Sequence, residues 1–414
     1  MRIGFFTDTY LPVSNGICYV IEILKKDLEA AGHEVYVFAP ANIFKKQPEE
    51  GRVIRYKALQ GLLYSDQFLS FFWAPRQLQR IEAMNLDVIM SFTPSLIGGL
   101  GGYAAIRLNL PFVIQYGTDM ESYADEYKLT TFVGILGAIF IVPYFLRLGF
   151  NQTIHFYKQL LVKPPKQRYF RWACRVMMGV IHQKSSLVIA TSEKTAQQLK
   201  GWHVQQQVVA LPTGVDELKS NQLQIDKFRD EFGFGASDRI VLYVGRPSIE
   251  KNLEKLIEAF TKLAKKHLEL KLLFVGDFQY RKRLEELAYA SGYGEQIVFA
   301  GQVPREQMGS IYKLANVFAF PSLTDCQALV LNEAAHAGLP LVWCDISELN
   351  PVLKDGVTGL RAKNSATAIA NQIEKIVYSP KLKLTYGKNA KKVAKELSER
   401  KQTLKLEVLL EGLS

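Results

Sequence analysis

Short, unbroken apolar runs rich in Val, Ile and Phe recur along this chain, with helical patterns between them. Ile3–Asp8, Val35–Pro40, Val88–Pro94, Phe112–Gly117, Leu187–Ser192 and Val208–Gly214 form a first set. Ile240–Gly245, Leu272–Asp277, Ile297–Gly301, Val317–Ser322 and Leu341–Asp345 form a second. Continuous apolar strands are what a parallel sheet covered on both faces requires. Between the first two runs the period changes: Ile17, Val20, Ile21, Leu24, Leu28 and Ala31 share one helical face, and Gly32 ends it. Strand and helix in alternation mean a doubly wound α/β architecture. A chain of 414 residues is too long for one ordinary core. The pattern therefore predicts two such domains, residues 1–216 and 217–390, with the polar stretch Asp216–Asp238 as linker and residues 391–414 as a C-terminal helix packing back toward the first domain. Ligands of such folds bind beyond the carboxyl ends of the strands, here expected in a cleft between facing domains.

Three segments carry candidate chemistry. After the first strand, Asn15-Gly16 opens a helix, and a glycine there lets backbone amides meet an anion; Gly16 is a candidate phosphate contact. The fingerprint G-x-G-x-x-G is absent, which excludes the usual dinucleotide redox cofactor. In VGRPSIEKN (Val244–Asn252) a strand ends at glycine, with Arg246 and Lys251 on the loop that follows. Two cations there can clamp a diphosphate and stabilise the charge of its departure; the plain alternative is a solvated loop held by an Arg–Glu pair. In SLTDCQALVLNEAAHAGLP (Ser322–Pro340), Asp325 and Glu333 stand eight positions apart beside a run of small residues. The six histidines form no ligand cluster, and no Asp-x-Asp tract is present, so no metal site is expected. Cys18, Cys174, Cys326 and Cys344 are scattered, and a reduced, cytoplasmic compartment is the simpler reading.

These segments, together with FTDTYLPVSNG, SEKTAQQL, LPTGVD, FVGD and DGVTGL, resemble the retaining family 4 glycosyltransferases of the GT-B fold, in the family's order over nearly the whole chain. The resemblance implies a nucleotide-sugar donor as substrate and no metal or other cofactor. It implies that Glu333 binds the ribose hydroxyls and Asp325, usually Glu in the family, the transferred hexose. Backbone amides at Gln327, Ala328 and Leu329 are expected to meet the phosphates or the sugar, while Arg246 and Lys251 hold the leaving diphosphate. Where the family often has a histidine, in a tract like H-G-T-D, this chain reads QYGTDM. Tyr116 takes that place, and a phenol with pKa about 10 is a poor proton acceptor at neutral pH. Asp119 then becomes the candidate for orienting the acceptor hydroxyl.

The net charge of +11 is unevenly spread. From Tyr127 to Ser192 there is no Asp or Glu, but Lys128, Arg147, Lys158, Lys163, Lys166, Arg168, Arg171, Arg175 and Lys184 are there among apolar and aromatic residues. This insert, about 127–185, fits an anionic membrane surface, with rings and stems buried and charges at the headgroups. A transmembrane span is rejected: Thr130–Phe150 contains Gly134, Gly137 and Pro143, and the strands flanking it belong to one sheet. Nucleic acid is not an expected partner. The whole implies a hexosyltransferase moving sugar from a UDP- or GDP-sugar, with retention, to a membrane lipid or lipid-linked acceptor. The D-x-Q-x-L tract resembles the subgroup that acts on diacylglycerol, and the protein is expected to sit peripherally on the inner face of the cell membrane. Two other classes stay open: a weakened relative that binds donor or lipid without turnover, and an epimerase or phosphorylase on the same fold.

Overall fold

A computed structural model describes residues 1–13, 15–44, 51–60, 68–121, 124, 128–164, 168–202, 206–277, 279–345 and 349–413. The chain divides into two compact units, Met1–Thr213 with Gln402–Ser414, and Gly214–Lys401.

The first unit holds β1 (Arg2–Phe6), β2 (Glu34–Asn42), β3 (Val53–Gln60), β4 (Phe68–Ser70), β5 (Val88–Ser91), β6 (Phe112–Tyr116), β7 (Leu187–Ala190) and β8 (Val208–Ala210). They form one sheet in the order β4-β3-β2-β1-β5-β6-β7-β8, parallel except where β4 runs against β3. All residues of β5, β6 and β7 are buried, as their unbroken apolar runs require. Helix Gly16–Ala30 is started by Asn15, whose side chain accepts from the Cys18 amide at 3.0 Å, and is followed by Gly32 at φ +92°.

The second unit holds β9 (Arg239–Val244), β10 (Leu270–Val275), β11 (Ile297–Phe299), β12 (Val317–Phe320), β13 (Leu341–Cys344) and β14 (Gly359–Ala362). The order is β11-β10-β9-β12-β13-β14, with every recorded pair parallel. Its core is continuous from Ile240 through Phe318 and Trp343 to Ile373.

The sequence reading is corrected in three places. The polar stretch taken as a linker contains helix Gln222–Glu231, capped by Asn221 and anchored by buried Phe228, and it belongs to the second unit. Residues 391–414 are not one helix: Pro380–Lys395 ends in that tract, and Glu399–Glu411 follows. Lastly, one histidine, His33, does lie in a group of potential ligand atoms with two carboxylates. His33 Nε2 lies 2.9 Å from Glu407 of the last helix, in the first unit, and Glu411 adds a further carboxylate.

In the insert, helices Lys128–Phe145, Phe150–Leu161 and Tyr169–His182 form a small core of their own around Ile135, Phe156, Leu160, Ala173 and Val176. Among the described residues no helix is long and apolar enough to cross a membrane. Lys166 lies outside the described residues.

Candidate active site

Each sheet reverses its winding once, and the loops leaving the two strands at that point diverge to leave a crevice at their carboxyl ends. In the second unit that point lies between neighbours β9 and β12. The loop after β9 carries Arg246 and Lys251; the loop after β12 carries Asp325.

Backbone geometry brings these loops together. Gly245 and Gly276 end β9 and β10 with φ of +147° and +130°, and a Cβ on Gly276 would lie 2.1 Å from the Gly245 carbonyl oxygen. Only glycine fits that approach. Asn252, in the left-handed region at φ 57°, donates its side-chain amide to the Pro321 carbonyl at 3.1 Å and to Asn364 at 2.9 Å. This ties the turn carrying Lys251 to the loop after β12. The Lys251 ammonium then meets Asp325 at 2.5 Å, each side chain only 16% exposed, and the Ser322 hydroxyl donates to the other carboxylate oxygen at 2.5 Å. Arg246 lies 3.3 Å from Glu250, which also accepts from Ser248 at 2.6 Å. The Arg–Glu pair that the sequence offered as the plain alternative is thus formed, beside the Lys251–Asp325 pair rather than instead of it.

Helix Leu329–His336 starts at Ala328, itself at φ 54°, with no side chain capping it. Asn350, almost fully buried, holds the preceding turn by donating to the Gln327 carbonyl at 2.9 Å. An uncapped helix start with small residues around it presents amides and the positive end of the dipole. Glu333, one turn inside, is buried and accepts from Tyr312 at 2.6 Å and Arg305 at 2.8 Å. Arg305 keeps 42% of its side chain exposed, so Glu333 has one partner that solvent or a ligand can reach. Sequence reasoning found Glu333 but neither of these partners. His336, buried at the end of the same helix, donates from Nε2 to the Val215 carbonyl at 2.7 Å.

In the first unit the winding reverses between β1 and β5. That point is filled by the chain's own carboxylate: buried Asp8 accepts from the Thr93 hydroxyl at 2.6 Å and from the amides of Ile97 and Gly98 at 2.8 and 3.2 Å. Burial raises the Asp8 pKa and these hydrogen bonds oppose the rise. The sequence reading passed over Asp8, because the amides it binds open a helix some ninety positions further on and no local spacing points to them. Gly16 begins its helix in open space, with nothing within 4 Å of a Cβ built there. Tyr116 is buried at the end of β6, its hydroxyl accepting from the Met120 amide at 3.2 Å. Its ring lies edge-on to His182 and Trp202, at 5.7 and 5.8 Å between centroids. Asp119 follows in the turn, half-buried. Arg175 departs from its assignment to the membrane face: it is bound to buried Glu121 at 2.6 Å and lies over Trp202.

Residues 14–217 match the family described as Glycosyltransferase Family 4, and residues 224–393 match Glycosyl transferases group 1. The chain belongs to glycosyltransferase family 4. This glycosyltransferase is 26% identical over 423 residues to the alpha-monoglucosyldiacylglycerol synthase of Acholeplasma laidlawii, covering 99% of this chain and 98% of that protein. It is 25% identical over 365 residues to the synthase of the same name from Streptococcus pneumoniae, covering 87% of this chain and 74% of that one. Among solved structures, Anabaena HepE in complex with UDP and glucose matches over 100% of both chains, with a TM-score of 0.72 at 18% identity. The glycosyltransferase therefore has the GT-B fold, and the two relatives just described are both named as alpha-monoglucosyldiacylglycerol synthases.

Proposed function

We propose that this glycosyltransferase moves a hexose from a UDP- or GDP-sugar to a membrane lipid hydroxyl, diacylglycerol first, with retention of anomeric configuration and no metal. The observation that carries the reading is the Lys251–Asp325 pair at the winding reversal of the second unit. Lys251 and Arg246 supply positive charge where a leaving diphosphate develops negative charge, and preorganised charge of this kind accelerates group transfer. Asp325 accepts hydrogen bonds from hexose hydroxyls, Glu333 from the ribose, and the amides from Gln327 to Leu329 meet the phosphates. In the first unit Asp119 orients the acceptor hydroxyl. Tyr116 holds the turn that presents it.

The lipid acceptor is supported by the names of the two synthases and by the insert. Phe132, Leu136, Phe140 and Tyr144, spaced every four residues along Lys128–Phe145, are 47%, 47%, 76% and 51% exposed. The opposite face of the same helix, Ile135, Val142 and Phe145, is buried against protein. A helix apolar on both faces is short of one apolar neighbour, and lipid supplies it. Phe150 and Leu161 on the next helix are each 81% exposed and extend the surface. A second exposed patch, Phe44, Phe71 and Trp73, gathers at the edge of the sheet where Ile43 and Phe71 both hydrogen-bond to β3.

The test is transfer of labelled sugar from UDP-glucose, UDP-galactose and GDP-mannose to diacylglycerol in anionic vesicles. Labelled glycolipid is expected from one donor, with the α-linkage that retention requires. Donor binding with no lipid product would instead identify a binding protein, and free sugar or an epimer formed without lipid would identify an epimerase.

A further inference from the structure

Tyr243 and Glu250 bracket the cationic loop, and each holds a buried polar atom without a partner. Tyr243, on β9, is 1% exposed and its hydroxyl is unpaired. The hydroxyl lies directly beneath the turn, because a Cβ on Gly245 would come 2.8 Å from it. Glu250 Oε1 takes both Ser248 and Arg246, while its Oε2 is buried and unpaired. One orphan is a donor on the strand and the other an acceptor on the turn that follows it. Buried polar groups left this way are costly, and a donor and an acceptor orphaned so near each other can satisfy one another if the loop shifts.

We propose that the Tyr243 hydroxyl is a positioning group for Arg246: it takes the Glu250 carboxylate when the guanidinium leaves for the donor's diphosphate. The inference rests on the donor reading above. Arg246 cannot serve a diphosphate and keep Glu250 at full strength. When it turns away, a largely buried carboxylate is left with Ser248 alone, and that loss is charged against donor affinity. A phenolic O–H beneath the same turn offsets the loss and frees the guanidinium. Burial, then the charges of Asp325 and Glu250, hold the phenol's pKa well above its ordinary value. The group is therefore a proton donor throughout the neutral range.

The experiment uses the full chain, UDP and GDP as calorimetric probes, and steady-state transfer. Tyr243→Phe removes the hydroxyl and keeps the ring. It is expected to weaken binding of the nucleoside diphosphate about tenfold and raise donor KM to match, with kcat nearly unchanged, because the interaction serves bound donor and transition state alike. The melting temperature of the ligand-free variant is expected to stay level or rise, since an unpaired buried group has gone. A merely structural hydroxyl would give the reverse: lower melting temperature, unchanged affinity. The second arm places Tyr243→Phe in a Glu250→Gln background, where no carboxylate charge needs a new partner and the tenfold loss is expected to vanish. The same loss in both backgrounds overturns the proposal. Wild-type protein that binds neither UDP nor GDP overturns the donor reading itself, and this inference falls with it. Wild-type binding with an unaltered Tyr243→Phe affinity removes this inference alone.

Discussion

Lys251→Met separates what the ammonium does for the fold from what it does for the donor. The methionine keeps an apolar stem of similar length and removes the charge. Asp325 then loses a partner at 2.5 Å in a site where both side chains are 16% exposed. Breaking a fully buried pair costs roughly 3–5 kcal/mol. Residual exposure and the remaining Ser322 hydrogen bond lower that to about 2 kcal/mol here. For a domain of this size the melting temperature should fall by about 4–8 °C. A charge-assisted hydrogen bond to the diphosphate contributes roughly 1.5–3 kcal/mol. UDP affinity should therefore drop about 10- to 150-fold, and the transfer rate by about 10²–10³. Asp325→Asn added to this variant removes the orphaned charge, so thermal stability should largely return. UDP carries no hexose, so its affinity in the double variant reports on the cation alone. It should stay as weak as in Lys251→Met. A double variant that binds UDP like the wild type would show that Lys251 merely neutralises Asp325, and the diphosphate clamp would be wrong.

Two further outcomes are expected. Replacing Arg168 and Arg171 with Ala should cut partition onto anionic vesicles about 30-fold, from roughly 1 kcal/mol per cation, with the difference lost at high salt; equal partition at low salt would refute the membrane face. Arg175 is left in place because it serves the fold through Glu121. His182 is fully buried with neither ring nitrogen paired, and burial lowers its pKa from 6.5 to about 4. The fold thus prefers the neutral ring: its contribution is intact above the unfolded value and lost as pH falls from 6.5 toward 4. Between pH 7.5 and pH 5 that loss is about 2 kcal/mol. Denaturant unfolding of His182→Leu at the two pH values should show a pH 5 penalty smaller by this amount, and an identical penalty would mean that the ring protonates freely in the fold.

The strands that could be read from sequence are those buried on both faces, because only there does burial demand an unbroken apolar run. β3, β4 and β14 escaped for the same reason. Residues VIRYKALQ of β3 mix polar with apolar, and β4 and β14 lie at the edges of their sheets. Helix Gln222–Glu231 read as linker because only Phe228 on it is buried, which leaves almost no periodic signal. In the site, the residue types of the motifs were legible and their partners were not. Arg305 lies 28 positions from Glu333, Glu121 lies 54 from Arg175, and Glu407 lies 374 from His33. Spacing along a helix or strand reaches a few residues, so pairings at these separations exist only once the sheet has set the order of its loops.

That limit bears directly on mechanism. A motif reading treats Arg246 and Lys251 as cations waiting for a diphosphate, whereas in the fold each lies against a carboxylate, Glu250 and Asp325. Two positive and two negative charges leave the loop pair close to neutral, which is how a cationic site can be folded without an anion in it. On the proposed donor reading, a diphosphate exchanges partners rather than filling an empty charge. The carboxylates it displaces need somewhere to go. For Asp325 the hydroxyls of the incoming hexose and Ser322 are at hand; for Glu250 there is Ser248 and the phenol beneath Gly245. Donor affinity should accordingly depend on groups that never touch the donor, and a substitution scan confined to the motif cations would underestimate the size of the site.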